Sequence, residues 1–200
     1  MVGAQTNRLI VGISGASGAI YGIRLLELLR ESPIETHLVI SRAAEITIAL
    51  ETGRKLADVR ALADRYYRFE DVAASISSGS FLTMGMIVAP CSVRSLSEIA
   101  TGTTSSLLTR AADVVLKERR KLVLMLRETP LHLGHLRSMT AVTEMGAIIS
   151  PPVPAFYAKP QSLTEMVDHS LGRVLDMFGV ETNTVRRWRD NQPQIASLSC

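Results

Sequence analysis

Three stretches of this 200-residue chain concentrate residue types that can do chemistry. Ser14-Gly15-Ala16-Ser17-Gly18 is built only from small residues, so backbone N–H groups can approach an anion closely, and the Ser14 and Ser17 hydroxyls add donors. Pro90-Cys91-Ser92-Val93-Arg94-Ser95 is a second run rich in hydroxyls, and Arg127-Glu128 sets a cation beside a carboxylate. Collected in one crevice, with Ser41, they suit a phosphorylated heterocycle. Arg110 and Lys117 are seven apart, which on a helix places them on one face two turns along. Asp113, four residues before Lys117, offers the plainer reading of a solvated i,i+4 pair.

The spacing excludes several phosphate binders. Gly12, Gly15 and Gly18 read G-x-x-G-x-x-G, which is neither the dinucleotide fingerprint nor a P-loop, and no G-x-x-x-x-G-K-[ST] occurs. The second strand, Thr36 to Ile40, ends in Ser41-Arg42 with no carboxylate for a ribose, which argues against NAD, while Arg42 keeps NADP open. The plain alternative for the glycine-rich turn is close helix–strand packing. Cys91 and Cys200 are far apart and His37, His132, His135 and His169 are scattered, so no metal and no disulfide are expected. Cys91 reads as a small buried thiol, inert rather than nucleophilic.

These residues must be positioned by the elements around them. Leu9 to Ile13 is an apolar run without alternation, as in a strand buried on both faces, and Ile20, Ile23, Leu25, Leu26, Leu28 and Leu29 follow at helical spacing. Ile34 to Ile40, Met84 to Ala89, Lys121 to Leu126 and Ala147 to Ile149 read as further strands; Tyr66, Tyr67 and Phe69 suggest a short edge strand. Ala43 to Thr52, Leu107 to Lys117 and His132 to Met145 read as helices, Lys55 to Asp64 holds a helical turn or two, and another helix begins at Leu96. Ser75 to Ser80 reads as a mobile Ser/Gly loop, and Ser162 with Glu165 as a capping box opening a last helix to about Phe178. Strand and helix alternate, so the fold class is α/β: a flavodoxin- or Rossmann-like open parallel sheet with helices on both faces.

The bulk properties set the remaining bounds. One domain over residues 1–200 is expected, with a C-terminal tail from about residue 180. The chain is 46% hydrophobic but 4% aromatic, with mean hydropathy +0.19, an apolar balance that points to buried subunit interfaces. The net charge of +3 is spread among acidic residues, which argues against a nucleic-acid surface. No signal peptide or membrane span is read, so the protein is placed in the cytoplasm. Trp188, in the basic run Val185-Arg186-Arg187-Trp188-Arg189, either docks on a neighbouring subunit or packs on its own domain.

Four blocks in order, GISGASGAIYGIRLLELL, VAPCSVRSLSEIATG, LLTRAADVVLKERRKLVLMLRETPLH and PPVPAFYAKPQS, resemble the UbiX-type flavin prenyltransferases, earlier described as aromatic-acid decarboxylases. The resemblance implies a flavodoxin-like fold, a homododecamer binding FMN between subunits, and transfer of a dimethylallyl group from dimethylallyl monophosphate to reduced FMN for a UbiD-type decarboxylase. It assigns Gly15, Ala16, Ser17, Ser41, Ser92, Val93, Arg94, Ser95 and Arg127 to FMN. It assigns Arg110, Lys117, Glu128, Tyr157 and Arg173 to the prenyl phosphate, with Glu128, Ser17 and Lys117 as the catalytic group. Val93-Arg94 departs from the smaller or less polar pairs of some relatives, leaving its side-chain contacts open. The FMN phosphate is expected at the Ser14 to Gly18 turn. An FMN-dependent decarboxylase of an aromatic acid or peptidyl cysteine is the alternative, although the cysteine decarboxylases use a His where this chain, between Gly53 and Pro90, has none. An FMN carrier would need the turn but not Arg110, Lys117 and Glu128.

Overall fold

The computed structural model describes residues 7–188, which divide into two compact units at Pro152/Val153. In the first unit β1 (Arg8–Ile13), β2 (Glu35–Ile40), β3 (Arg65–Tyr67), β4 (Gly85–Cys91), β5 (Lys121–Leu126) and β6 (Ile148–Ile149) form one sheet in the order β3-β2-β1-β4-β5-β6. Every pairing is parallel. Parallel neighbours need crossovers. Those are supplied by α1 (Ala19–Leu29), α2 (Arg42–Thr52), α3 (Leu56–Arg60), α4 (Val93–Ala100), α5 (Leu107–Lys117) and α6 (Leu133–Glu144). Without the three-residue edge strand β3, the order is that of the flavodoxin-like sheet, reversing its direction of growth at β1.

The apolar runs of β1, β2, β4 and β5 are buried almost throughout, the condition that removes polar alternation from a central strand. One core forms where Ile10, Met86, Val88, Leu122 and Leu124 meet Leu108, Ala111 and Val115 of α5. β4 runs two residues past the expected end at Ala89, because pairing resumes at Cys91↔Leu126 after an irregularity at Pro90, which has no N–H to give the ladder.

The segment expected to be a mobile Ser/Gly loop is ordered. Ser75–Ser77 forms a 3-10 turn with Ile76 buried in the core. Arg110 Nε donates to Ser77 O (3.2 Å), and Arg120 Nη2 and Nη1 donate to Gly79 O (2.6 Å) and Phe81 O (2.7 Å). Two arginines thus strap the segment to α5 and the turn that follows it.

β2 also buries a titrating group. His37 is 2% exposed; its Nδ1 lies 2.9 Å from Tyr67 Oη, and its Nε2, 3.4 Å from Glu35 Oε1, makes no hydrogen bond. Burial holds its pKa below the ordinary 6.5, Glu35 and Asp64 raising it and Arg8 and Arg65 lowering it by smaller amounts. The unfolded chain therefore binds the proton first, and stability falls as pH drops below about 6.5. Glu51 and Asp64, whose carboxyls are also held low, weaken the fold only as pH passes below their ordinary 4.5 and 3.8. Urea midpoints measured from pH 7.5 to 5 are expected to decline, and His37→Asn to flatten the decline above pH 5. An unchanged slope in the variant would remove His37 as its cause.

The second unit contains a 3-10 turn at Phe156–Ala158 and α7 (Leu163–Asp176). Ser162 Oγ accepts from Glu165 N (3.1 Å), but Glu165 Oε2 accepts from Gln161 N (2.8 Å) rather than from the Ser162 amide, so the expected capping box is displaced by one residue. Trp188 stands edge-on to Tyr157, ring centroids 5.2 Å apart, within this unit and still 64% exposed. Among the described residues no helix is long and apolar enough to cross a membrane.

Candidate active site

Ligands of an open parallel sheet settle outside the carboxyl ends of its strands. There the first unit has a cavity of about 750 Å³. Its walls are the turn after β1 (Gly15, Ala16, Ser17), the start of α2 (Ser41, Arg42, Ala43), Phe69 and Glu70 after β3, the start of α4 (Ser92, Val93, Arg94, Ser95) with Glu98, the start of α5 (Ser105, Ser106, Thr109), and Arg127 and Glu128 after β5. Every residue assigned to FMN from the sequence lines this space, and so does Glu128.

Three helix N-termini open on the cavity, each capped by a serine. Ser41 Oγ accepts from Ala44 N (3.1 Å), Ser92 Oγ from Ser95 N (3.2 Å), and Ser106 Oγ from Thr109 N (3.3 Å), Thr109 Oγ1 closing a capping box onto Ser106 N. A cap satisfies one amide of the first turn and leaves others to a ligand, with the positive end of each helix dipole behind them. Such a site favours an anion. Arg127 adds a full charge, and its backbone N–H, donating to Cys91 O (3.0 Å), holds the end of β5 beside β4.

The turn after β1 offers fewer donors than its sequence suggests. Ser14 is fully buried: its Oγ donates to Pro90 O (2.8 Å) and accepts from Ser92 N (2.7 Å), so it ties the two loops together instead of facing a ligand. The N–H groups of Gly18 and Ala19, at the start of α1, both donate to Glu51 Oε2, at 2.8 and 3.0 Å. Glu51 also takes a hydrogen bond from the Ser17 hydroxyl. Burial pushes the Glu51 carboxyl up, but these hydrogen bonds and the Arg127 charge outweigh it and leave the group below its usual range. Glu51 thus receives the amides of Gly18 and Ala19, while Gly15, Ala16 and Ser17 of the turn line the cavity.

Gly15 is needed for space. A Cβ on it would stand 2.3 Å from Ala43 Cβ and 3.1 Å from the Ala43 carbonyl carbon, so the turn and the start of α2 approach as closely as they do because one of them has no side chain. Glu128 is half-buried, its Oε1 accepting from Thr129 N at 3.0 Å. Arg94 Nε donates to Glu98 Oε1 (3.0 Å), so this chain's departure at Val93-Arg94 puts an ion pair in the wall. Cys91, fully buried with its thiol pushed up to about 12, carries no thiolate at neutral pH. Among the described residues no cluster of three or more His, Cys, Asp or Glu could hold a metal, and Cys200 lies outside them.

Arg110 and Lys117, assigned to the prenyl phosphate, do not line this cavity. Arg110 Nη1 pairs with Asp113 (2.7 Å) and Lys117 with Glu118, so the expected Asp113–Lys117 pair does not form: the nearer partners at i+3 and i+1 capture the charges. Lys117 instead lines a second cavity of about 510 Å³, whose walls share Glu98 and Thr109 with the first. In the second unit Arg173 pairs with Asp176 (2.9 Å), and Tyr157 meets His169 edge-on, ring centroids 5.8 Å apart. Glu51, Phe69, Glu70, Glu98, Ser105, Ser106 and Thr109 were missed as site residues. Ser106 with Thr109 carried a readable signal, a hydroxyl three residues before another at the start of an apolar helix.

A doubly wound parallel sheet whose switch-point crevice collects capped helix starts and an arginine is a nucleotide-binding α/β protein. The chain belongs to the Flavoprotein family, whose model matches residues 3–175, and within it to the UbiX-type flavin prenyltransferases. Flavin prenyltransferase UbiX of Escherichia coli K12 is 63% identical over 174 residues, 86% of this chain and 92% of the relative. Among solved structures, AnUbiX in complex with FMN and dimethylallyl pyrophosphate superposes with a TM-score of 0.90 at 50% identity, covering 92% of this chain and 98% of that one. The dodecameric FMN-dependent UbiX-like decarboxylase of Escherichia coli O157:H7 gives 0.89 at 53% identity, with 91% and 99% covered.

Proposed function

We propose that this chain joins a dimethylallyl group from dimethylallyl monophosphate to reduced FMN, making prenylated FMN for a UbiD-type decarboxylase, and that it works as a homo-oligomer, a dodecamer, in the cytoplasm. The observation that carries the reading is the 750 Å³ cavity that unites Gly15, Ala16, Ser17, Ser41, Ser92, Val93, Arg94, Ser95 and Arg127, the residues assigned to FMN. Their amides, hydroxyls and helix dipoles fit a phosphorylated, polar-edged heterocycle. In this reading the phosphate sits at the Ser14 to Gly18 turn, whose Gly15, Ala16 and Ser17 line the cavity beside the starts of α2, α4 and α5, with Ser17 near the flavin nitrogen.

Bound reduced FMN supplies the nucleophile for the allylic carbon. The chain's own contribution is positioning and electrostatics. Ser17, held by Glu51, orients the flavin edge, and the phosphate-assigned Arg110, Lys117, Arg173 and Tyr157 stabilise the growing charge of the departing phosphate without a metal. Glu128 holds a proton for the phosphate or takes one from the flavin. The flavin face shields the allylic centre in a site that excludes water. A single FMN domain over residues 1–200, assembled as an oligomer that completes the site between subunits, is part of this reading.

Purified protein incubated with reduced FMN and dimethylallyl monophosphate is expected to yield a flavin whose mass rises by one dimethylallyl group. Carbon dioxide from an aromatic acid without any flavin mass gain would favour the decarboxylase alternative. Bound but unaltered flavin would favour a carrier. A monomeric mass at micromolar concentration would count against the oligomer.

A further inference from the structure

Gly79 lies in the strapped segment opposite the C-terminal end of α5, and its missing side chain is filled by a pair of charged groups. A Cβ built there would stand 2.7 Å from Lys117 Nζ and closer still to Glu118 Oε1. Arg120 holds the Gly79 and Phe81 carbonyls and lies 4.0 Å from Glu118 Oε2, and Glu118, its carboxyl held low first by its hydrogen bond from Lys117, anchors the ammonium. The chain reverses at Arg119, whose φ of 56° is left-handed, and this turns Arg120 back toward the segment. The Lys117 ammonium is received there by Glu118, and the Lys117 side chain also lines the 510 Å³ cavity.

We infer that Gly79 is a positioning residue for Lys117: the space it leaves, fixed by the Arg120 strap, sets where the ammonium stands to meet the prenyl phosphate. This rests on the reading that Lys117 binds that phosphate. Gly79 has no left-handed φ, and the atoms in the way are the tips of flexible side chains, so a methyl group added there displaces the Lys117–Glu118 pair without breaking the backbone. Stability is spared while the charge is moved.

The test compares Gly79→Ala, Gly79→Val and Lys117→Ala for KM toward dimethylallyl monophosphate, kcat, FMN affinity and Tm. Lys117→Ala is expected to raise KM about tenfold or more, as loss of a charged hydrogen bond does. Gly79→Ala should raise KM about three- to fivefold, the scale of one half-exposed charge contact. Gly79→Val should raise it further, with kcat, FMN affinity and Tm held in the alanine variant. An unchanged KM in both Gly79 variants beside a raised KM in Lys117→Ala overturns the inference and spares the reading beneath it. An unchanged KM in Lys117→Ala overturns that reading and the inference with it. A parallel loss of FMN affinity and Tm in Gly79→Ala makes Gly79 a general structural residue and also overturns the inference.

Discussion

Glu128→Gln is expected to slow formation of prenylated FMN by about a hundred- to ten-thousandfold, the usual range for losing a general acid or base. FMN itself should bind as before. The carboxyl stands at the end of β5, half-buried in the cavity wall, and its visible partner is the adjacent Thr129 amide, which glutamine can still satisfy through its carbonyl. In the proposed reading cofactor binding rests on Arg127, the serine caps and the turn at Gly15, none of which the change touches. Amide for carboxyl keeps shape and removes the group that can give or take a proton, so the effect falls on the chemical step. Stopped-flow flavin spectra on protein saturated with FMN and dimethylallyl monophosphate decide the matter. A wild-type rate would return Glu128 to an exposed loop charge with no part in the reaction.

Gly15→Ala should weaken FMN binding by about ten- to a hundredfold, which corresponds to the 1–3 kcal/mol cost of forcing an extra methyl group into a filled space. Here the obstacle at 2.3 Å is Ala43 Cβ, with the Ala43 backbone just behind it, and neither can rotate away. The turn and the start of α2 must separate, and both are walls of the cofactor cavity. Ser41 and Ser17 then no longer face one ligand together. Titration of FMN fluorescence reads the loss, and Ala43→Gly in the same chain should recover much of it by restoring the gap. No recovery would mean that the turn fails for another reason.

The strands were legible because burial on both faces leaves an unmistakable record: Leu9 to Ile13 and Lys121 to Leu126 have no polar alternation, and both became central strands. Leu107–Lys117 was bounded correctly as a helix, since its apolar positions repeat every three to four residues and a serine precedes them. The FMN-assigned residues were legible as types, and the fold brought them to one cavity. What escaped depends on contacts distant along the chain. Ser75 to Ser80 looks like a loop because its order comes from Arg110 and Arg120, more than thirty residues away. Glu51 carries no local mark of its role, because its partners Gly18 and Ala19 lie 33 and 32 residues earlier. Ser14 resembled a ligand donor for the same reason: the acceptor that claims its hydroxyl, Pro90 O, is 76 residues on.

That Ser14 bridge bears on how the cofactor enters and leaves. Its hydroxyl is donor to one loop and acceptor from the same loop, so the turn after β1 and the start of α4 form one lip of the crevice that cannot part without exposing two buried polar groups. The ordering entropy of that lip is spent when the chain folds, not when FMN arrives, which favours affinity at no cost in rearrangement. Another part of the wall is closed only by the solvent-exposed Arg42–Glu70 ion pair at 2.6 Å, a contact that costs little to break.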